Sequence, residues 1–395
     1  MAPVRRSDLS LFAVDDRSAQ VVWRGLPPGP LHLAVRDGDG RTVAASVPTI
    51  GPHPEVPGAG APGATVLEPL PAGAHLVLEA RPPEPAPPVR LALRTAPRLA
   101  GEELCRFATV SDLHVGATVF GHRGTIAEPR HPDGPHPVRC TRAALAELGA
   151  WGASRLVVKG DLTDHAALGQ WRRCASLLAE ATVPVDVLPG NHDRDHPHAD
   201  APLDATDAAA VFGLALADPV LVRDLPGARL LLADTCIPGS NRGTLDRVGD
   251  DLLDAAADAD DDVAVLVAIH HQLEPRTGAE GWPIGIPHRE GRRFLERLAR
   301  AHPRSFVTSG HTHRHRRWRH AGITTTQVGS VKDYPGVWAG YTVAEGGLAQ
   351  LVRRIQEPSC LVWTDRTRRA AAGAWRFIAP GPADSRTFAL PWPLR

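Results

Sequence analysis

The chain has 395 residues, 43 % of them hydrophobic and 22 % charged, and its 44 Lys+Arg balance 44 Asp+Glu to a formal net charge of +0. That length suits two or three domains with a sizeable core, and the neutral balance argues against partners recognised by bulk charge, whether nucleic acid or an anionic membrane. Five cysteines (105, 140, 174, 236 and 360) form no CxxC pair, which fits reduced buried thiols; with no apolar leader and no bilayer-length apolar run, a cytoplasmic protein is expected.

Residues 1–98 carry short β-prone runs at 20–23, 31–35, 42–45, 75–78 and 89–93, broken by turns such as Leu26-Pro27-Pro28-Gly29. This spacing predicts a small all-β sandwich domain. The Pro/Gly-rich stretch 51–63 reads as a long inter-strand loop, and 81–88 as an extended edge or linker. Trp23 is expected in the sandwich core; an active-site wall or a dimer contact is the alternative.

From Arg106 the texture changes. Strands are expected at 106–110, 155–158, 185–188, 263–269 and 305–308, with helical periods at 141–150, 166–181, 206–212, 245–257 and 287–301 between them. Such alternation implies an α/β domain, and runs at 229–234 and 324–328 suggest a second, mixed sheet. The catalytic domain is placed at 104–345. A C-terminal extension, 346–395, carries a strand at 350–355 and an aromatic tail expected to pack on the body.

Five motifs punctuate the α/β region: Asp112-Leu113-His114, Gly160-Asp161, Gly190-Asn191-His192-Asp193, His270-His271 and Gly310-His311-Thr312-His313. Four of them place Asp112, Asp161, Asn191 and His270 at carboxyl ends of predicted strands, where open α/β sheets bind ligands. Carboxylate, amide oxygen and imidazole together suit first-row transition metals better than Mg or Ca. Asp112 with His114 could chelate one cation, His311 and His313 could serve one ion each, and Asp161 is the natural bridge. Any one of these pairs is a weak signal among 19 histidines. Singly, Asp161 reads as a cap or turn residue and Gly190-Asn191 as a turn; it is their joint order along the chain that is informative.

In that order the motifs resemble the calcineurin-like metallophosphoesterases over residues 106–343. The resemblance implies a four-layer α/β/β/α sandwich and two divalent transition-metal ions, with Mn, Fe and Zn the expected identities. It implies Asp112, His114, Asp161 and His313 around the first ion, and Asp161, Asn191, His270 and His311 around the second. His192 would meet the phosphoryl or leaving-group oxygen from outside the metal shell, with Asp193 orienting its ring. Two close cations make hydroxide available near neutral pH and stabilise an in-line phosphoryl transition state. An imidazole at the position of His192 suits general-acid work.

The N-terminal β domain resembles the layout of purple acid phosphatases. Their metal-binding tyrosine lies three residues after the bridging aspartate, where this chain has Asp164. The runs Gly160-Asp161-Leu162-Thr163-Asp164-His165 and Gly243-Thr244-Leu245-Asp246 look more like cyclic-nucleotide and glycerophosphodiester phosphodiesterases. The expected activity is a phosphodiesterase on a small phosphoester; a phosphomonoesterase or phosphoprotein phosphatase is the enzymatic alternative, and a phosphoesterase-fold scaffold the non-enzymatic one. A homo-oligomer is compatible with the sequence. Residues 117–138, with His122, Arg123, Arg130, His131 and His136, read equally as a cationic lid or a surface loop, and Arg314–His320 as a solvated hairpin face or a basic rim. The acidic run 258–262 reads as a solvated turn, and His165 and His271 as lining or supporting the second-metal side.

Overall fold

Side-chain alternation along the buried strands sets the architecture, since successive residues of a strand face opposite sides of its sheet. In a computed structural model, residues 8–121, 124–194, 202–275 and 283–392 are described. On Ala228–Ala233, Leu230 and Leu232 enter one core while Leu231 and Ala233 enter another. Strand Ala264–Ile269 repeats the division, with Leu266 and Ala268 on one side and Val265, Val267 and Ile269 on the other. Strands buried on both faces read as continuous apolar runs, as these do.

Two sheets result. A seven-stranded sheet has the order Ala215–Leu216, Val185–Leu188, Leu156–Lys159, Glu103–Val110, Val337–Ala344, Gly347–Arg354, Phe388–Pro391; the first four strands are parallel and the last three add antiparallel. A six-stranded sheet has the order Val220–Leu225, Ala228–Ala233, Ala264–Ile269, Ser305–Ser309, Ile323–Gln327, Arg316–His320 and is parallel through its four central strands. The sheets face each other across a core holding Phe107, Val157, Leu230, Leu266, Phe306 and Tyr341. Helices His136–Ala150, Leu168–Leu178 and Pro358–Thr367 cover the outer face of the first sheet. Gly249–Ala257 and His288–Ala301 cover the second. The result is the four-layer α/β/β/α sandwich.

The helix expected from 141 begins at His136, because Pro137 lies in the first turn, where its missing N–H costs nothing. The helix expected over 166–181 is trimmed to Leu168–Leu178, with Ala166 in the left-handed region at φ 55°.

The N-terminal strands form a three-stranded sheet (Asp8–Val14, Ala19–Arg24, Gly63–Leu67) and a four-stranded one (Thr42–Ser46, His32–Arg36, His75–Arg81, Val89–Arg94) around Trp23, Leu33, Val35 and Leu78. This β region is sewn to the α/β body. Phe12 and Ala13 join the inter-sheet core. The Gln20 side chain accepts from the Arg354 amide at 2.8 Å and donates to its carbonyl at 2.7 Å. No helix among the described residues is long and apolar enough to cross a membrane.

Candidate metal centre

Five motif segments leave the carboxyl ends of five strands, three from the first sheet and two from the second. They meet where those ends converge. The loops after Glu103–Val110 and Leu156–Lys159 continue side by side, with the Asp112 amide donating to the Gly160 carbonyl (3.1 Å) and the His114 amide to the Asp161 carbonyl (2.8 Å). The sheets are tied together there by Lys159, whose ammonium donates to Thr308 Oγ1 and the Ser309 carbonyl, both at 2.9 Å. Burial pulls that lysine down to about 7.

The backbone at the site is unusual. Asp112, His114, Asp161, His311 and His313 all have positive φ, between 46° and 66°. The left-handed region costs an L-residue roughly 1–2 kcal/mol, and Asp and His tolerate it better than most. Packing around the loops must hold this geometry. Two glycines show how tight that packing is. A Cβ on Gly190 would lie 2.2 Å from Asp161 Oδ1, and one on Gly310 would lie 1.8 Å from Ser111 Oγ.

The side chains converge in two groups that share Asp161. On one side, His114 Nε2 lies 3.3 Å from Asp161 Oδ2 and His313 Nε2 lies 3.4 Å from Asp112 Oδ1. On the other, His270 Nε2 lies 3.4 Å from Asp161 Oδ1, 3.3 Å from Asn191 Oδ1 and 3.2 Å from His311 Nδ1. His270 Nδ1 is already engaged with the Lys159 carbonyl at 2.8 Å. In the neutral ring, Nε2 therefore turns a lone pair toward the acceptor oxygens of Asn191 and Asp161. Such an arrangement calls for a cation between them. The buried Nε2 atoms of His271 and His311 have no hydrogen-bond partner among the described residues, and the donor set of imidazole, carboxylate and amide oxygen suits transition-metal ions.

Protonation in the metal-free protein follows the same geometry. Burial opposes charge on His270, yet Asp161, Asp112 and the Lys159 carbonyl together outweigh it and lift the ring to about 9. Burial likewise opposes charge on His313, while Asp333 and Asp112 raise it to about 10. Here a proton substitutes for a cation. Burial, with help from Lys332, lowers His114 to about 4; burial and His270 lower His311 to about 3. Against the cost of burial, His313 holds the Asp112 carboxyl well below the usual carboxylate range.

Partners that the motifs do not contain fix these ligand candidates. His313 Nδ1 lies 2.5 Å from Asp333 Oδ2, which leaves Nε2 facing the site. The Asn191 amide nitrogen donates to Asn241 Oδ1 at 3.2 Å, which turns the Asn191 oxygen inward. His114 Nδ1 lies 3.3 Å from Asp164 Oδ1. Nothing in the spacing marks Asp333 or Asn241. Asp164 was visible only as the residue occupying the tyrosine position of a related pattern.

His192 lies beside the first group, its ring centroid 4.6 Å from that of His114. Its orientation corrects the expectation for Asp193. His192 Nδ1 engages the Asp164 carbonyl at 2.8 Å, whereas the Asp193 carboxylate accepts from the amides of Leu162, Thr163 and Gly190 and from Thr163 Oγ1, at 2.8–3.0 Å. A carboxylate so surrounded by amides clamps two metal-site loops together; the ring is steered by a carbonyl. Burial and the nearby Asp161 push Asp193 up to about 6. His271 faces the second group, with Nδ1 2.9 Å from Thr235 Oγ1 and its ring 4.8 Å from that of His311. His165 Nε2 pairs with Asp164 Oδ2 at 3.1 Å.

Within residues 117–138, Val119–Phe120 pairs with Ile126–Ala127 as a short hairpin, and His136 opens helix His136–Ala150. His122 and Arg123 lie outside the described residues. His136 is buried against Trp363, ring centroids 4.0 Å apart, with Nδ1 2.7 Å from Glu128 Oε2. Among the described residues of the hairpin, Phe120 approaches the site, its ring centroid 6.2 Å from that of His313 and 5.9 Å from that of Trp375 in the C-terminal segment. Arg316–His320 is an edge strand that alternates between half-buried and exposed positions, while Arg314 and His315 before it are buried.

The chain matches the sequence profile of the calcineurin-like phosphoesterases over residues 105–315, more than half its length. Solved structures similar to it include PhoD, at 12 % identity and TM-score 0.45 over 89 % of this chain and 87 % of that one. Phosphopantetheinyl hydrolase from Mycobacterium tuberculosis is similar at 13 % identity and TM-score 0.36, over 58 % and 90 %. Vps29 from Entamoeba histolytica complexed with zinc is similar at 12 % identity and TM-score 0.30, over 62 % and 91 %. No curated protein matches the sequence. With the profile spanning the strands that build the site, the chain belongs to the calcineurin-like phosphoesterase family.

Proposed function

We propose that this protein is a dinuclear-metal-dependent phosphodiesterase acting on a small phosphoester. The observation that carries the reading is the pair of donor groups sharing Asp161, with the His192 ring beside them. Asp112, His114, Asp161 and His313 would hold one ion, and Asp161, Asn191, His270 and His311 the other, with Mn, Fe or Zn the fitting metals. Bound there, two cations would activate water and neutralise charge on the phosphoryl group. The remaining work falls to the protein. With Nδ1 engaged by the Asp164 carbonyl, His192 would use Nε2 to hydrogen-bond a phosphoryl oxygen or protonate the leaving oxygen.

The preference for diesters rests on the Gly160–His165 and Gly243–Asp246 runs, and the absence of a tyrosine ligand argues against a purple Fe(III) centre. The guanidiniums of Arg354 and Arg368 lie over the Tyr334 ring, 5.2 and 5.0 Å from its centroid, and the Tyr341 hydroxyl is 3.0 Å from Thr308 Oγ1. The test is the initial-rate ratio for bis(p-nitrophenyl) phosphate over p-nitrophenyl phosphate on Mn-reconstituted protein. A ratio above one that chelation abolishes supports the reading. A ratio below one moves the assignment to a phosphomonoesterase, and full activity after chelation and dialysis rejects metal dependence.

A further inference from the structure

A second basic cavity lies apart from the metal-site residues, at the seam between the N-terminal β region and the C-terminal segment. It encloses about 340 Å³ and is walled by Arg24, Arg368, Arg369 and Arg376, with Asp365, Ala372 and Gly373. Asp365 is the one carboxylate in that wall, 3.2 Å from Arg368 and 3.9 Å from Arg24. Arg368 also reaches Asp8 at 4.0 Å and lies over the Tyr334 ring. Arg369 and Arg376 are exposed and form no ion pair with the described residues; Arg376 lies 4.5 Å from the Phe377 ring centroid. Four guanidiniums against the carboxylates of Asp365 and Asp8 leave an excess of two positive charges on one concave surface.

The backbone that presents these arginines is strained. Ala371, Ala372 and Gly373 have φ of 50°, 53° and 86° in succession. Two alanines in the left-handed region are disfavoured by their own Cβ atoms, and strain of this kind concentrates at ligand clamps. The turn brings Arg369 and Arg376, seven positions apart, to one cavity; the Gly373 amide donates to the Arg369 carbonyl at 2.9 Å and closes it. Planar guanidinium forks match phosphate oxygens bidentately. Arg369 and Arg376, outside any ion pair among the described residues, offer two such forks, one for each of two adjacent phosphates.

We propose that this cavity binds a group bearing two adjacent phosphates, at a site separate from the metal centre. The experiment is calorimetric titration of the full-length protein with pyrophosphate at constant ionic strength, on the wild type, Arg369→Ala/Arg376→Ala and Asp161→Asn. Both arginines are exposed, so an unchanged melting temperature is expected for the double variant and verifies its fold. The expected result is pyrophosphate binding weakened at least about tenfold by the arginine pair and retained in Asp161→Asn, where the metal centre is disabled. Flotation with vesicles containing diacylglycerol pyrophosphate separates a free ligand from a lipid headgroup. Vesicle binding lost in the double variant, with pyrophosphate silent, supports the same cavity with a headgroup as its source. Binding that survives the double substitution, or wild-type protein that takes neither pyrophosphate nor vesicles, overturns the proposal.

Discussion

Asp161 touches both halves of the candidate centre, and its surroundings show how much one side chain can organise. Its two oxygens face His114 and His270, and Oδ1 also accepts the His192 amide at 3.0 Å. Around it, the partners Asp333, Asn241 and the Asp164 carbonyl fix three rings or amides that would otherwise rotate. Groups that orient metal ligands typically carry 10–100-fold in affinity. Asp333→Asn is therefore expected to weaken Mn binding by about that factor, read by metal titration of the purified variant. His192→Ala should act differently. It is expected to lower kcat on a diester by about 10²–10⁴ while two equivalents of metal remain bound by elemental analysis; loss of metal together with activity would give His192 a structural role instead. The motif residues themselves were legible because each sits at a strand exit beside a glycine or a paired ligand. Their orienting partners were not, since a carbonyl, an amide and a carboxylate twenty residues downstream leave no pattern. Asp193 misled for the same reason: adjacency to His192 in sequence suggested a ring partner, while the tight turn directs its carboxylate to backbone amides.

At the scale of elements, the hairpin within residues 117–138 is pinned by its base. Glu128 pairs with His136 and Arg139, and Arg366 of helix Pro358–Thr367 donates to the Ala127 carbonyl at 2.8 Å. Burial, only partly offset by Glu128, lowers His136 to about 4. The unfolded chain takes up this proton below about pH 6.5, the folded chain only below about 4. The contribution of the neutral ring is thus fully present above pH 6.5 and is lost as pH falls toward 4, by on the order of 3 kcal/mol. His136→Gln, which can still donate to Glu128, should be less stable than wild type at pH 7 and lose less stability on acidification. Urea unfolding at pH 7 and 4.5 measures the difference; parallel losses in both proteins would refute it. Sequence could not distinguish this anchor from a lid. Basic residues in a Pro/Gly-rich segment look alike whether they face substrate or a buried tryptophan, and only the contact with Trp363 decides.

Across the whole molecule, the N-terminal β region and the C-terminal segment are bound into the α/β body. Phe12 lies in the inter-sheet core, Arg386 Nε donates to its carbonyl at 2.9 Å, and Arg353 donates to Ser18 Oγ at 2.7 Å. Removing residues 1–98 would expose this apolar face and leave the Arg354 backbone without Gln20. The truncated chain is expected to aggregate, or to lose its cooperative unfolding transition at 25 °C; a soluble, cooperatively folding fragment would show that the two parts are independent.

Periodicity and motif order in the sequence determined the α/β layering and the family resemblance, because alternation, turn residues and ligand types are local properties of a chain. The tertiary structure alone decided which ring nitrogens face the candidate site, that Asp193 clamps loops instead of steering His192, and that arginines from opposite ends of the chain share one cavity. Those outcomes depend on through-space distances between strands and turns far apart in sequence. No local spacing encodes them.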